Sequence, residues 1–242
     1  MIVCTPTETH YDVLLDLSEM KEKHNFLVIA EKPFCITLDQ ASSIVNIYNK
    51  LGIPLLINYT RRFVWGYQDA RNTFLDGGLG SALNARMIYT RGMHDGCHAI
   101  DIFRYFFGEF IDGRSYKKYR ILDLSKQDPT MPVYMEFDKC KSVIMQPCDG
   151  RLYGIFELDI CFEKGRIRFT DNGIYAEHYP ITDVNEWGHK SLSYDVVKTE
   201  TGLTSAMLNV IQNAVDYLDG KAELLCTGYD AVKVHEILEV IK

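Results

Sequence analysis

Several things are scarce or missing in this 242-residue sequence, and each absence closes off a class of protein. No apolar run approaches the ~18 residues that a membrane span needs. Met1 leads straight into Ile2-Val3-Cys4-Thr5-Pro6, without the basic start and apolar stretch of a signal peptide, which points to the cytoplasm and to no membrane partner. The seven cysteines are odd in number and form no Cys-x-x-Cys pair, which argues against a disulfide frame or zinc ribbon and leaves reduced, buried thiols as the expectation. There is no internal repeat and no low-complexity segment. No half of the chain is strongly of one sign: the net charge of −7 divides into 4 basic and 7 acidic residues over 1–58, and 22 and 26 over 59–242. No nucleic-acid partner is expected from those totals. None of the 17 glycines completes a G-x-G-x-x-G turn. Gly78-Leu79-Gly80, the one G-x-G, follows a helical pattern rather than a strand, and there is no Walker A sequence.

What is present is ordinary for a globular chain, with 47% hydrophobic and 24% charged residues. The first sixty residues alternate strand and helix. Ile2–Cys4, Phe26–Ala30 and Pro54–Asn58 are short apolar strands. Between them, His10–Glu22 and Leu38–Leu51 carry apolar residues at helical spacing, the second with Thr37 as N-cap and Gly52 as stop. Such alternation predicts a parallel sheet with crossover helices. Helices are then predicted over Tyr67–Leu75 and Gly96–Phe107, and a strand over Leu83–Tyr89. Phe156, Leu158, Ile160 and Phe162 alternate with polar residues, the period of a sheet with one wet face. Asp171-Asn172-Gly173 is a hairpin turn between Arg166–Thr170 and Ile174–Tyr179. Thr204–Leu218 and Asp230–Ile241 read as two closing helices. The boundary falls near Asn58–Arg62. The fold class is therefore α/β plus α+β: half of a Rossmann-like parallel sheet over 1–60, then an open, mostly antiparallel sheet with flanking helices over 61–242.

Two places could carry chemistry. Lys32 sits between Glu31 and Pro33 at the carboxyl end of an apolar strand, where doubly wound sheets bind ligands. A lysine partly desolvated there can polarise or deprotonate a hydroxyl; a solvated strand-end lysine is the plain alternative. The second place is Arg91–Asp101. A helix starting at His94 would put His94, His98 and Asp101 on one face. That face reads as a metal site without the zinc-protease glutamate, as an acid–base histidine oriented by a carboxylate, or as a capping and packing set. Arg61-Arg62-Phe63 could hold an anionic or polyol ligand or simply enter a helix. Trp187 and His189 belong to a loop over 183–190, and the His235 helix face reads as packing.

The ordered set Cys4-Thr5-Pro6-Thr7-x-x-His10, Glu31-Lys32-Pro33, Asn58-x-x-Arg61-Arg62-Phe63, Gly77-Gly78-Leu79-Gly80 and Gly96-x-His98-x-x-Asp101 leading into Arg104-x-x-x-Gly108-Glu109 resembles the glucose-fructose oxidoreductase / inositol dehydrogenase / MocA family. The resemblance implies hydride transfer between NAD or NADP and a secondary alcohol of a sugar or cyclitol. It implies Lys32 as the group that hydrogen-bonds the reacting hydroxyl and His98 as the base that takes its proton. Thr5, Pro6, His10, Glu31, Lys32 and Pro33 would line the cofactor edge; Arg61, His94, Asp95 and His98 would face the substrate; no metal is implied. It also implies a homodimer or higher oligomer through the second-domain sheet. Two departures stand out. His94 occupies a position that is Asp in many members. The glycine-rich first half of the nucleotide domain is missing from this chain, through truncation or a shifted start, so its own dinucleotide binding is expected to be weak or absent. A non-catalytic sugar-binding or assembly domain derived from the family is the alternative.

Overall fold

The computed structural model describes residues 1–123 and 128–241. They divide into two compact units, Met1–Phe63 with Ser205–Val240, and Val64–Thr204 with Ile241.

The first unit is built on three parallel strands in the order β1 (Ile2–Val3), β2 (Val28–Ala30), β3 (Leu55–Ile57). Ile2 aligns with Ile29 and Val28 with Leu55. β2 and β3 are buried along their whole length, as apolar runs covered on both faces should be. α1 (Thr7–Glu19) and α2 (Leu38–Leu51) make the crossovers. The Tyr48 hydroxyl of α2 donates to the Leu14 carbonyl of α1 at 2.9 Å. α2 has the expected ends: Thr37 Oγ1 accepts the Gln40 N–H at 3.2 Å, and Gly52 takes a left-handed φ of 62°. α1 starts three residues before the expected His10, since the Pro6 carbonyl already accepts the Thr9 N–H at 2.9 Å, and a 3-10 turn over Met20–Glu22 replaces its last turn.

Residues 205–240 belong with this unit, not with the second. Thr227 forms an antiparallel bridge to Leu56, and Ile57 donates its N–H to Cys226 O at 3.2 Å. The buried Arg62 pairs with Asp230 at 2.9 Å. Asp230 also accepts the Thr227 N–H at 2.9 Å, which caps α6 (Gly228–Ile241). Asn209 of α5 (Ala206–Leu218) donates to Phe63 O at 2.8 Å. These partners are far apart in sequence, which is why local patterning gave no sign of the grouping.

The second unit is an eight-stranded sheet in the order β11-β10-β9-β8-β4-β7-β6-β5. The strands are β4 (Ala82–Tyr89), β5 (Phe110–Ser115), β6 (Val133–Phe137), β7 (Cys140–Pro147), β8 (Phe156–Phe162), β9 (Gly165–Thr170), β10 (Tyr175–Pro180) and β11 (Val197–Glu200). Among the described strands of this sheet, only the β4–β7 pair is parallel. The alternation read over 156–162 is real: Phe156, Leu158, Ile160 and Phe162 are buried while Glu157, Asp159 and Cys161 face outward. α3 (Trp65–Leu75) and α4 (Gly92–Phe107) cover the apolar face. Tyr67 of α3 stacks on Phe169 at 3.9 Å between centroids, and Phe103 of α4 meets Phe137 at 6.2 Å. Across the wet face, Arg86, Asp159, Arg168, Glu177 and Lys198 follow one another strand by strand with alternating charge, the arrangement that cross-strand pairing favours. Asp171 and Asn172, both with positive φ, make the turn from β9 to β10.

Candidate active site

The carboxyl edge of the parallel sheet is tied together by side chains. β1 runs out into Cys4, Thr5 and Pro6, all exposed. His10, on the first turns of α1, is only 1% exposed. Its Nε2 lies 2.8 Å from Thr5 O, and its Nδ1 lies 3.1 Å from both Pro33 O and Phe34 O. The imidazole thus clasps the ends of β1 and β2, and both ring nitrogens face backbone carbonyls. At the end of β2, Glu31 Oε1 accepts a hydrogen bond from Asn58 Nδ2 at 2.6 Å, and its Oε2 accepts the Lys32 N–H at 3.3 Å. Asn58 Oδ1 accepts the Thr60 hydroxyl at 3.1 Å. Lys32 therefore leaves a backbone held on both sides, half-buried, with a cis peptide bond to Pro33. Arg61 is half-buried in the 3-10 turn over Thr60–Phe63 that follows β3.

The other candidate residues lie in the second unit, at the start of α4. This helix begins at Gly92, four residues before the expected Gly96. Arg91 and Gly92 enter it with φ of 68° and 60°. A Cβ on Gly92 would run into Asp128, so glycine is required there on two counts. Partners from far along the chain fix the entry. Asp123 Oδ2 accepts the N–H of Arg91 at 2.7 Å and of Gly150 at 3.3 Å, and its Oδ1 accepts the Thr130 hydroxyl at 2.8 Å. Thr130 Oγ1 accepts the Gly92 N–H at 2.6 Å, and Asp128 Oδ2 accepts the His94 N–H at 3.0 Å. Carboxylates at the first turn also suit the helix dipole.

One helix now carries His94, His98 and Asp101, so their spacing does place them on a common face. That face turns inward along its length. The His94 side chain is half exposed, with its Nδ1 3.1 Å from Asp95 Oδ1. His98 is 7% exposed and meets the Phe156 ring edge-on at 6.3 Å; Asp101 is 1% exposed. Asp95 also lies 3.8 Å from Arg91 Nε. Among the described residues no group of three or more His, Cys, Asp or Glu could hold a metal ion. Trp187 and His189 do lie in a loop, where both donate backbone N–H groups to Asn185 Oδ1, and Trp187 is largely exposed. His235 is buried in α6. Sequence reasoning missed Asp123, Asp128 and Thr130, the residues that hold the start of α4. Glu31 was singled out, but its bond to Asn58 was not.

A dinucleotide would meet only part of its usual surroundings here. The exposed Thr5-Pro6 end of β1 and the half-buried Glu31-Lys32-Pro33 end of β2 leave the carboxyl edge of the sheet open, the edge where doubly wound sheets bind ligands. The glycine turn that grips a pyrophosphate is not in this chain.

Residues 1–59 match the model GFO_IDH_MocA, the oxidoreductase family with an NAD-binding Rossmann fold, so the family resemblance read from the motifs holds over that stretch. No curated protein matches the chain closely enough to count as a relative. Solved structures share the fold over nearly all of it. An oxidoreductase from Sinorhizobium meliloti aligns with a TM-score of 0.76 and 16% identity, over 99% of this chain and 74% of its own. The WlbA dehydrogenase from Bordetella pertussis, in complex with NADH and UDP-GlcNAcA, gives 0.72 and 13%, over 99% and 74%. The super-repressor mutant of Gal80p from Saccharomyces cerevisiae gives 0.74 and 15%, over 98% and 75%. At these identities the likeness is one of fold. No described helix is long and apolar enough to cross a membrane.

Proposed function

We propose that this chain carries the substrate-handling part of an NAD(P)-dependent oxidoreductase that acts on a secondary alcohol of a sugar, sugar derivative or cyclitol. The observation that carries the reading is Lys32: it stands at the carboxyl end of the middle strand of the sheet matched by the NAD-binding family, on a backbone braced by Glu31, Asn58 and His10. Lys32 donates a hydrogen bond to the reacting oxygen and stabilises the negative charge that develops on it. His98 accepts the hydroxyl proton. Its burial beside Phe156 excludes water from the imidazole. When bound, the nicotinamide supplies the hydride acceptor or donor. Thr5, Pro6, Glu31 and Pro33 border its site, and His10 is a positioning residue that acts through the Thr5 and Pro33 carbonyls. Arg61, His94 and Asp95 orient the polyol.

The test is alcohol oxidation by the chain with NAD or NADP over a panel of sugars and inositols, repeated with Lys32→Ala and His98→Ala. Turnover is slow and is lost in both variants; turnover unchanged in either one overturns the assignment. Calorimetry finds weak dinucleotide binding, because the pyrophosphate grip is missing from the chain; micromolar binding would contradict that part.

A second reading is favoured by His94, which stands where many members of the resembled family carry Asp: a non-catalytic sugar-binding or assembly domain. Gal80p, solved as a super-repressor mutant, shares the fold. Oxidation abolished by Lys32→Ala rules this reading out. In either case we propose self-association through the wet face of the eight-stranded sheet, where Ile144 is 43% exposed among the charged rows. A monodisperse monomer in sedimentation would refute it.

A further inference from the structure

α4 runs away from its entry at Gly92, Gly108 turns the chain, and β5 brings it back. The residues after Ser115 therefore return to the His94 end of the helix. Two contacts fix them there: Ile121 and Thr130 exchange backbone hydrogen bonds of 2.8 and 2.9 Å, and Thr130 caps the Gly92 N–H. The stretch that arrives is Gly113-Arg114-Ser115-Tyr116-Lys117-Lys118-Tyr119-Arg120-Ile121-Leu122, with four cations and no acid in a chain of net charge −7. All four cationic side chains are exposed, and among the described residues none of them forms an ion pair. Tyr116 and Tyr119 are exposed between them, with the Arg114 guanidinium 5.4 Å from one ring and the Lys118 ammonium 5.8 Å from the other.

The two acids nearest the far end of this stretch are engaged elsewhere. Asp123 and Asp128 hold the backbone at the start of α4. Asp112 and Glu136 sit opposite one another across β5 and β6, before the Arg114 pair and outside the stretch 114–120. Four like charges within seven residues repel one another, and a multiply charged anion relieves that repulsion. Lysine ammonium groups bind phosphate oxygens as point charges, and arginine grips them in a fork. The exposed tyrosine faces give a base or a sugar ring something to stack on.

We propose that residues 114–120 bind a phosphoryl group carried by the substrate, so that the alcohol handled at the His94 end of α4 belongs to a sugar phosphate or a sugar nucleotide rather than to a neutral polyol. This deepens the oxidoreductase reading and rests on it for the word substrate. One exposed turn is too short a track for a nucleic-acid strand, which needs a groove several nucleotides long.

The test is calorimetry of the 242-residue chain, without dinucleotide, against glucose, glucose 6-phosphate, UDP-glucose and a short oligo(dT). Phosphorylated ligands bind at least about ten-fold more tightly than glucose, and the difference shrinks as added salt screens the cations. The triple variant Lys117→Ala/Lys118→Ala/Arg120→Ala loses the difference, while Lys50→Ala, an exposed lysine of the other unit, keeps it. All three substituted side chains are exposed, so circular dichroism of the triple variant stays that of the parent. UDP-glucose binding better than glucose 6-phosphate, with the gain lost in Tyr119→Ala, identifies a nucleotide; equal binding identifies the phosphoryl group alone. Glucose binding as well as its phosphate, a triple variant that binds as the parent does, or oligo(dT) binding most tightly would each overturn the proposal. None of these measurements needs turnover. Their failure leaves hydride transfer on a neutral polyol open, and phosphate binding is read whether or not oxidation is ever observed.

Discussion

The amide nitrogen of Asn58 donates a 2.6 Å hydrogen bond to the Glu31 carboxylate, joining the carboxyl ends of β2 and β3 through the same carboxylate that accepts the Lys32 N–H. A charged acceptor makes this bond stronger than a neutral one. Asn58 is 1% exposed, so the pair is shielded on one side.

Removing the amide in Asn58→Ala is expected to cost about 1.5–3 kcal/mol, the usual range for a hydrogen bond to a charged group. Urea unfolding measures it. Asn58→Asp sets two carboxylates against each other, so its deficit is larger at pH 7 than near pH 4, where protonation removes the repulsion. An Asn58→Asp variant equally stable at both pH values would show that the pair does not brace this edge.

Asp123 organises the start of α4 from outside the helix. Asp123→Ala leaves the Arg91 and Gly150 N–H groups and the Thr130 hydroxyl without their acceptor, at an expected cost of about 1–3 kcal/mol. Hydrogen exchange at the Gly92, Met93 and His94 amides should quicken before the strands of the sheet are affected. Unchanged protection there would refute the role.

Glu177 gives the second unit an acid-sensitive stability. Burial pulls its carboxyl upward, but hydrogen bonds from Tyr179 and Thr170, together with Arg168 and Lys198, outweigh this and hold it below its ordinary value of 4.5. A carboxyl depressed by folding contributes stability that is fully present above its unfolded value and is lost as the pH falls through the folded one. Glu177→Gln should therefore flatten the stability profile below about pH 5 and leave less stability at pH 7. Denaturant midpoints across that range check the sign, and a variant profile as steep as the parent's would disprove it.

The thiols should separate cleanly in native labelling. Cys4 is exposed, whereas Cys35, Cys97, Cys140 and Cys226 are buried. Burial pushes the Cys35 thiol up to about 12, far from the thiolate that reacts. An alkylating reagent at pH 8 should take Cys4 first and reach Cys35 only after denaturant is added. Mass spectrometry of the digested protein reads the order directly, and early modification of Cys35 would count against the burial of its thiol.

The sequence revealed whatever rests on local patterning. Thr37 and Gly52 bracket α2 as their side-chain chemistry dictates, and Asp171-Asn172-Gly173 makes the turn its positive-φ tolerance suggests. The alternation over 156–162 named the inner and outer faces of β8 correctly. Lys32 and His98 could be singled out because short motifs surround them. What stayed hidden depends on residues distant in the chain. The entry of α4 at Gly92 is held by Asp123, Asp128 and Thr130, and no local periodicity reports a carboxylate arriving from another loop. The parallel pairing of β4 with β7 is non-local in the same way.

The bridge between Leu56 and Thr227 has a consequence for how the protein is made. The chain leaves its first unit after Phe63 and comes back to it at Ser205. During synthesis, β3 therefore emerges with one edge bare and Arg62 without its counter-charge, and both must wait while the ribosome threads out an entire eight-stranded sheet. That sheet, all of whose strands lie within one uninterrupted stretch, can fold first; the small parallel unit closes last, when Asp230 arrives. A chain truncated before Thr227 and released should thus resist proteolysis over 64–204 and be cut readily within its first sixty residues.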